Sequence, residues 1–188
     1  MSQIWSERRL SVVDAAETVD TAPVVFDFET LFRSEYGRIA RVVARITRDP
    51  ARAEDLAIEA FWRLWRQPRA QGAHAGAWVH RTAVRLALDE LRRRARRARY
   101  EQALTFLRRP PATPDELFST REDQGRVRVV LAAMSRRHAE LLMLRSDGVP
   151  YDELAAVLSL NPASVGTLLS RARAAFRKEY VRRYGEHA

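Results

Sequence analysis

The chain is 188 residues long, with 33 basic and 24 acidic side chains, a formal charge of +9, 46% hydrophobic residues and no cysteine. That length fits one ordinary domain or two small ones, the apolar fraction supports real cores, and the lack of cysteine excludes disulfides, thiolate metal sites and cysteine nucleophiles. No apolar stretch approaches the roughly 20 residues that span a bilayer, the opening MSQIWSERRLSVVDAAETVD lacks the apolar core of a secretory signal, and the charge indicates a cytoplasmic protein with a polyanionic partner.

In chain order, residues 1–25 lack periodicity and read as a flexible acidic leader; residues 1–30 hold six acids against Arg8 and Arg9, a net −4. From Phe28 to Thr47 the apolar positions Leu31, Phe32, Tyr36, Ile39, Val42, Val43 and Ile46 recur at helical spacing. Asp49-Pro50 ends that helix and opens a second, about 50–66, with Asp as N-cap and Pro in the first turn. This second helix carries Leu56, Ala57, Phe61, Leu64 and Trp65 on one side, and Ile58 and Trp62 on others. The loop 67–76 (QPRAQGAHAG) follows. A third helix is expected over about Ala77–Arg99, with Trp78, Val79, Ala83, Leu86 and Leu91 inward. Three prolines within 110–114 cannot continue a helix, so 107–121 reads as a linker. Helical patterns resume at about 123–134, 136–146, 151–158 and 162–180, and no strand-like alternation appears. The expected fold is all-α: a first domain over 26–106 and a second over 122–184, joined by the flexible Pro-rich linker.

The charge is divided among these parts. Of the 33 basic residues all but Lys178 are arginine; residues 81–109 hold ten arginines against three acids, and 162–184 hold six basic residues against Glu179. Arginine suits phosphate because its planar fork makes two parallel hydrogen bonds. The run Arg81, Arg85, Arg92, Arg93, Arg94 and Arg96 also fits a solvated helix or one lying on an anionic membrane. A membrane-surface helix needs a free apolar face, however, and Leu86, Leu88 and Leu91 are required by the fold, so nucleic acid is favoured and no stable membrane insertion is expected.

The most specific local pattern is Tyr151–Arg173. It reads as a helix with inner residues Leu154, Ala155 and Leu158, a turn at Leu160, then a helix capped by Asn161, opened by Pro162 and packed back through Val165 and Leu169. Small Ala155 permits the close crossing that a helix-turn-helix needs, leaving the second helix free to face a major groove. A plain helical hairpin fits the same pattern; Arg171, Arg173, Arg177 and Lys178 behind it favour DNA.

Three stretches in this order resemble the sigma-70 family of bacterial RNA polymerase sigma factors. AEDLAIEAFWRLW (53–65) is similar to the family's acidic signature helix, WVHRTAVRLALDELRRR (78–94) to its Arg-rich helix, and Tyr151–Arg173, ending in SRAR, to its terminal helix-turn-helix. The order and the short linker resemble the extracytoplasmic-function group, which keeps only regions 2 and 4. The resemblance implies a transcription initiation factor that binds core RNA polymerase and directs it to promoters. Glu54, Asp55, Glu59, Phe61, Trp62 and Arg63 then correspond to the surface on which the polymerase β′ clamp docks. Arg81, Arg85, Arg92, Arg93, Arg94 and Arg96, with loop 67–76, correspond to the elements that read and open the −10 element. Ser164, Thr167, Ser170, Arg171, Arg173 and Arg177 correspond to the helix that enters the −35 major groove. The β flap of polymerase and an anti-sigma factor are further partners implied by the resemblance.

The chain departs from the family at stated places. Ile58 stands where the family carries Gln, Arg85 where it carries a base-capturing Asn, and Gly166 and Leu168 where basic side chains are usual. Reading at −35 is therefore expected to lean on Ser164, Thr167, Arg171 and DNA shape. Trp78 reads as core rather than as a platform for a base. No catalytic constellation stands out: His74, His80, His138 and His187 are scattered and Asp89-Glu90 point to different helical faces, so neither enzyme chemistry nor a cofactor is expected. The competing reading is a helix-turn-helix regulator of sigma-like fold that does not engage polymerase.

Overall fold

Asp27 starts the first helix: its carboxylate accepts a hydrogen bond from the Thr30 amide at 3.0 Å, satisfying one of the unpaired N–H groups of the first turn. The computed structural model describes residues 26–106 and 119–185; the acidic leader and residues 107–118 of the linker lie outside them. Helix α1 covers Phe28–Thr47 and ends at Arg48, which adopts the left-handed conformation (φ 54°). Asp49 then caps α2 (Pro50–Trp65), accepting from the Arg52 amide at 3.0 Å. A single tight turn, Pro68–Ala70, leads to α3 (Ala75–Phe106). Four helices follow beyond the linker: α4 (Ser119–Ala133), α5 (Arg136–Ser146), α6 (Tyr151–Leu158) and α7 (Val165–Tyr184). No strand occurs among the described residues.

The first group, α1–α3, packs through Ile39, Val42, Val43 and Ile46 of α1 against Leu56, Ala57, Ala60, Phe61 and Leu64 of α2 and Val79 and Ala83 of α3. Phe61 sits in an aromatic cluster, its ring centroid 4.8 Å from Phe32 and 6.2 Å from Phe28, both in edge-on geometry that aromatic rings favour. Trp65, expected inward, is 61% exposed. It lies at the end of α2, where only its edge reaches Phe28, at a centroid distance of 5.1 Å.

The second group is built on the helix-turn-helix. Ser159 closes α6 in the left-handed region (φ 52°), and the Asn161 side chain accepts from the Ala163 amide at 3.0 Å. Pro162–Ser164 forms a tight turn before α7, so the second helix proper starts at Val165 rather than at 162. Helix α6 packs against α7, and Leu154 and Ala155 of the first and Val165, Leu169 and Ala172 of the second are all buried. Gly148 makes the α5–α6 corner at φ 85°, a conformation that a Cβ disfavours.

Helix α3 is longer than the pattern predicts and is buried on more sides. Val79, His80, Ala83, Val84, Ala87, Leu88 and Glu90 are all buried, because α1 and α2 cover one side while α4, α5 and α6 cover another. The two groups also touch each other along α3, which α4, α5 and α6 all contact.

Candidate nucleic-acid and protein interfaces

Three faces carry the residues that the sequence singles out. The first is the outer side of α2. Its inner positions 53, 56, 57, 60, 61 and 64 are buried, which leaves Glu54, Asp55, Ile58, Trp62, Arg63 and Trp65 outside, with Glu59 at the border. Ile58 is 53% and Trp62 54% exposed, an apolar surface beside three carboxylates. Glu59 pairs with Arg63 at 2.6 Å and the Arg66 guanidinium lies 4.6 Å from the Trp62 ring centroid. Exposed pairs of this kind contribute only about 0–1 kcal/mol, so they leave the face available. Phe61 must be corrected: at 2% exposure it belongs to the core and cannot meet a partner. Ile58 and Trp65 are exposed beside Trp62 instead, and their 3–4-residue spacing, which the inward assignment of Trp65 passed over, puts the three on one face of the helix.

The second face is the arginine run of α3, which the fold divides into separate fates. Arg94 turns back to the first group, donating to Glu90 at 2.9 Å, Asp49 at 3.0 Å and the Thr47 carbonyl at 3.1 Å. Burial would raise the Glu90 carboxyl, but hydrogen bonding by Arg94 and the charges of Arg93 and Arg52 outweigh it and hold Glu90 below its ordinary value. Arg81, Arg85 and Arg92 turn the other way, toward the second group. Arg81 donates to the Val157 carbonyl and has its Nε 3.6 Å from Glu140. Arg85 has its Nε 3.8 Å from the same carboxylate, and Arg92 donates to the Met134 carbonyl at 3.3 Å. Arg81 and Arg92, expected on a DNA surface, are thus largely covered, with side chains 28% and 15% exposed. Arg93 and Arg96 stay in solvent, and Arg85 is half in it. Trp78 is half-buried against the core, as expected.

The third face is α7. Buried Val165, Leu169, Ala172 and half-buried Phe176 define its inner side. By helical geometry Thr167, Ser170 and Arg171, with Ala174 and Lys178, point away from it, and all are exposed. Ser164 is half-buried at the helix entrance. Arg173 and Arg177 are exposed but lie on the flank, where they rim a groove lined by Val127, Leu131, Met143 and Phe176. They therefore stand to one side of the outward face formed by Thr167 and Arg171.

Sequence reasoning missed a set of charges at the contact between the groups. Asp147, at the end of α5, accepts from Arg38 at 3.1 Å and Arg45 at 2.6 Å on α1. The Arg38 guanidinium also donates to the Asp147 carbonyl at 2.6 Å. His80 Nε2 lies 3.0 Å from the Asp147 carboxylate but makes no aligned hydrogen bond. Burial pushes the His80 imidazole down to about 4 against the pull of Asp147, and Arg38 and Arg45 push the same way as burial, so His80 is neutral at pH 7. Asp89 on α3 accepts from Arg136 on α5 at 2.5 Å. In the sequence Ser146-Asp147-Gly148 shows only a turn, and Glu140 sits unmarked between Ala139 and Leu141.

Comparison with known families bears directly on these helices. The sigma-70 region 2 family matches residues 31–97, which span α1, α2 and most of α3. The sigma-70 region 4 family matches residues 124–176, from α4 into α7. Among curated proteins, the chain is similar to the ECF RNA polymerase sigma factor SigJ of Mycobacterium tuberculosis, 33% identical over 159 residues that cover 80% of this chain and 49% of that one. It is also similar to the ECF RNA polymerase sigma factor SigE of Mycolicibacterium smegmatis, 27% identical over 167 residues that cover 86% of this chain and 64% of that one. The chain therefore spans roughly half to two thirds of the length of these relatives. Both regions are present in order, each on the helices that carry its motif, and the chain belongs to the sigma-70 family of RNA polymerase sigma factors, in its extracytoplasmic-function group.

Proposed function

We propose that this protein is a cytoplasmic, non-enzymatic transcription initiation factor that binds core RNA polymerase and directs it to specific promoters. The observation that carries the reading is the pairing, in one chain, of an exposed acidic-aromatic face on α2 with a basic helix-turn-helix face on α7. Glu54, Asp55, Glu59, Ile58 and Trp62 form the surface for the polymerase clamp; tryptophans beside carboxylates supply an apolar anchor and a charge pattern that selects a basic partner. Thr167, Ser170 and Arg171 face −35 DNA, with Arg173 and Arg177 on its phosphates. Arg85, Arg93 and Arg96 of α3 approach the −10 element. Opening DNA there costs a few kcal/mol for each unstacked base, offset by phosphate contacts and capture of the displaced strand.

Run-off transcription with core polymerase on a promoter fragment library tests this reading. Core-dependent selection of a fragment subset is expected; transcription no more selective than that of core alone would refute it. The competing reading, a DNA-binding regulator that ignores polymerase, is separated by reversing charge at Glu54, Asp55 and Glu59. An initiation factor then loses core binding while keeping its affinity for naked DNA, whereas a plain regulator changes in neither.

A further inference from the structure

The C-terminal half of α3, the end of α4 and the end of α7 surround a cavity of about 540 Å³, a size typical of small-molecule sites. Its wall carries five arginines and a single carboxylate: Arg92, Arg96 and Arg99 of α3, with Arg182, Arg183 and Glu179 of α7. The three arginines of α3 stand four and three residues apart and so share one face of that helix. The rest of the lining is Ala95, Ala98, Val129, Ala132 and Ala133, short side chains that leave depth and carry no polar group.

The one carboxylate is already occupied. Arg182 holds Glu179 through two donors at 2.7 and 3.0 Å and Arg183 through one at 2.7 Å, which pushes the carboxyl down to about 2. Arg182 and Arg183 also suit the negative end of the α7 dipole, so they have a structural reason to stand there. Arg96 and Arg99 have no such reason: both are exposed, and neither pairs with a carboxylate among the described residues. Arg92 directs its donors to the Met134 carbonyl at 3.3 Å and toward Asp89 at 3.7 Å, and lends the wall its charge. Burial lowers the Arg92 guanidinium from its ordinary value against the pull of Asp89 and Glu140, and the like charges of Arg136 and Arg96 act with burial. Like charges gathered without counter-charges repel, and an anion seated among them turns that repulsion into attraction.

We infer that this cavity binds a compact oligophosphate, the triphosphate chain common to inorganic tripolyphosphate and nucleoside triphosphates. Guanidinium forks match phosphate oxygens in pairs, and a phosphate chain brings several negative charges into a small space. The lining holds no aromatic ring to stack on a base and no side-chain amide or hydroxyl to read one. The site therefore recognises the phosphates and is indifferent to what they carry. An acidic peptide helix would need a long apolar groove, and duplex DNA presents its phosphates to a surface rather than to a cavity. The site stands or falls apart from the promoter reading, with which it shares only Arg96.

The test is calorimetric titration of the full chain with sodium tripolyphosphate, ATP and inorganic monophosphate, at low salt and without divalent cations. Tripolyphosphate and ATP should bind at one site with similar affinity, at least about tenfold tighter than monophosphate, since each further phosphate adds charge-assisted hydrogen bonds. Arg99→Glu should weaken both at least about tenfold, the effect of losing one such bond. Arg33→Glu is the control, the same change in net charge on an exposed side chain of α1. The nearby Leu31 lies against Gly76, at the other end of α3 and about 35 Å along the helix from Arg99. At that distance salt screens the charge, and the effect on binding should stay within about twofold. Circular dichroism checks that both variants are folded. Equal weakening by the two variants reduces the binding to net charge and overturns the site. Binding of ATP without binding of tripolyphosphate overturns it as well, because recognition then lies with the base. If tripolyphosphate does not bind and Arg99→Glu instead loses affinity for duplex DNA, the cavity is a DNA contact and the oligophosphate site is refuted.

Discussion

His80 and Phe61 show how little a residue type reveals before its surroundings are known. His80 looks like one of four scattered histidines, yet it is buried beside Asp147 with its imidazole pushed down to about 4. In the unfolded chain it titrates near 6.5, so as pH falls the unfolded state takes up a proton first. Stability is complete above about 6.5 and is lost as pH drops toward 4; at pH 5 the loss from this group is about 2 kcal/mol. Urea unfolding at pH 7.5 and pH 5 should show that extra loss in the parent and its absence in His80→Gln; equal losses in both would assign the acid sensitivity elsewhere. Phe61 and Trp62 are neighbours with opposite roles. Phe61→Ala removes a ring from the aromatic core and should cost about 3–5 kcal/mol by thermal or urea unfolding. Trp62→Ala should leave stability within about 1 kcal/mol, since its ring is half exposed, but weaken core polymerase binding at least tenfold in a pull-down titration.

Among the helices, those with one wet side were legible and the one with two covered sides was legible only in part. The boundaries of α1 and α2 follow from Asp27, Asp49 and Pro50, because capping is a local matter settled within a few residues. The turn of the helix-turn-helix follows likewise from Asn161-Pro162; Asn161→Ala removes the acceptor for the Ala163 amide and should cost about 1 kcal/mol in chemical unfolding. Helix α3 escaped in part. A helix covered on one side shows a single apolar stripe, but α3 serves two groups, so Val79, Val84 and Leu88 spread around it and its arginines are sorted by neighbours that the local pattern does not contain. Helix α7 illustrates a milder version: its basic residues were evident, but which of them face outward and which flank the groove beside Phe176 depends on where α4 and α5 pack.

Taken whole, the molecule is a polycation whose charge is placed rather than spread. On the proposed function, its affinity for promoter DNA should therefore be steeply salt-dependent. Each phosphate neutralised contributes a slope of about −0.9 in log K against log salt, so Arg171→Ala should flatten the line by about one unit, measured by fluorescence anisotropy from 50 to 200 mM salt. An unchanged slope would remove Arg171 from the DNA face. Composition, helical punctuation and three motifs in order were enough to indicate an all-α chain of two regions, a polyanionic partner and a family, because capping, periodicity and motif spacing are properties of neighbouring residues. The pairing of Arg38, Arg45 and His80 with Asp147, and of Arg81 and Arg85 with Glu140, joins positions far apart in the chain. A solvated arginine and a clasped one read identically along the sequence; only the packing of the second group against α3 decides which is which, because it sets the distance and the dielectric on which every charge interaction depends.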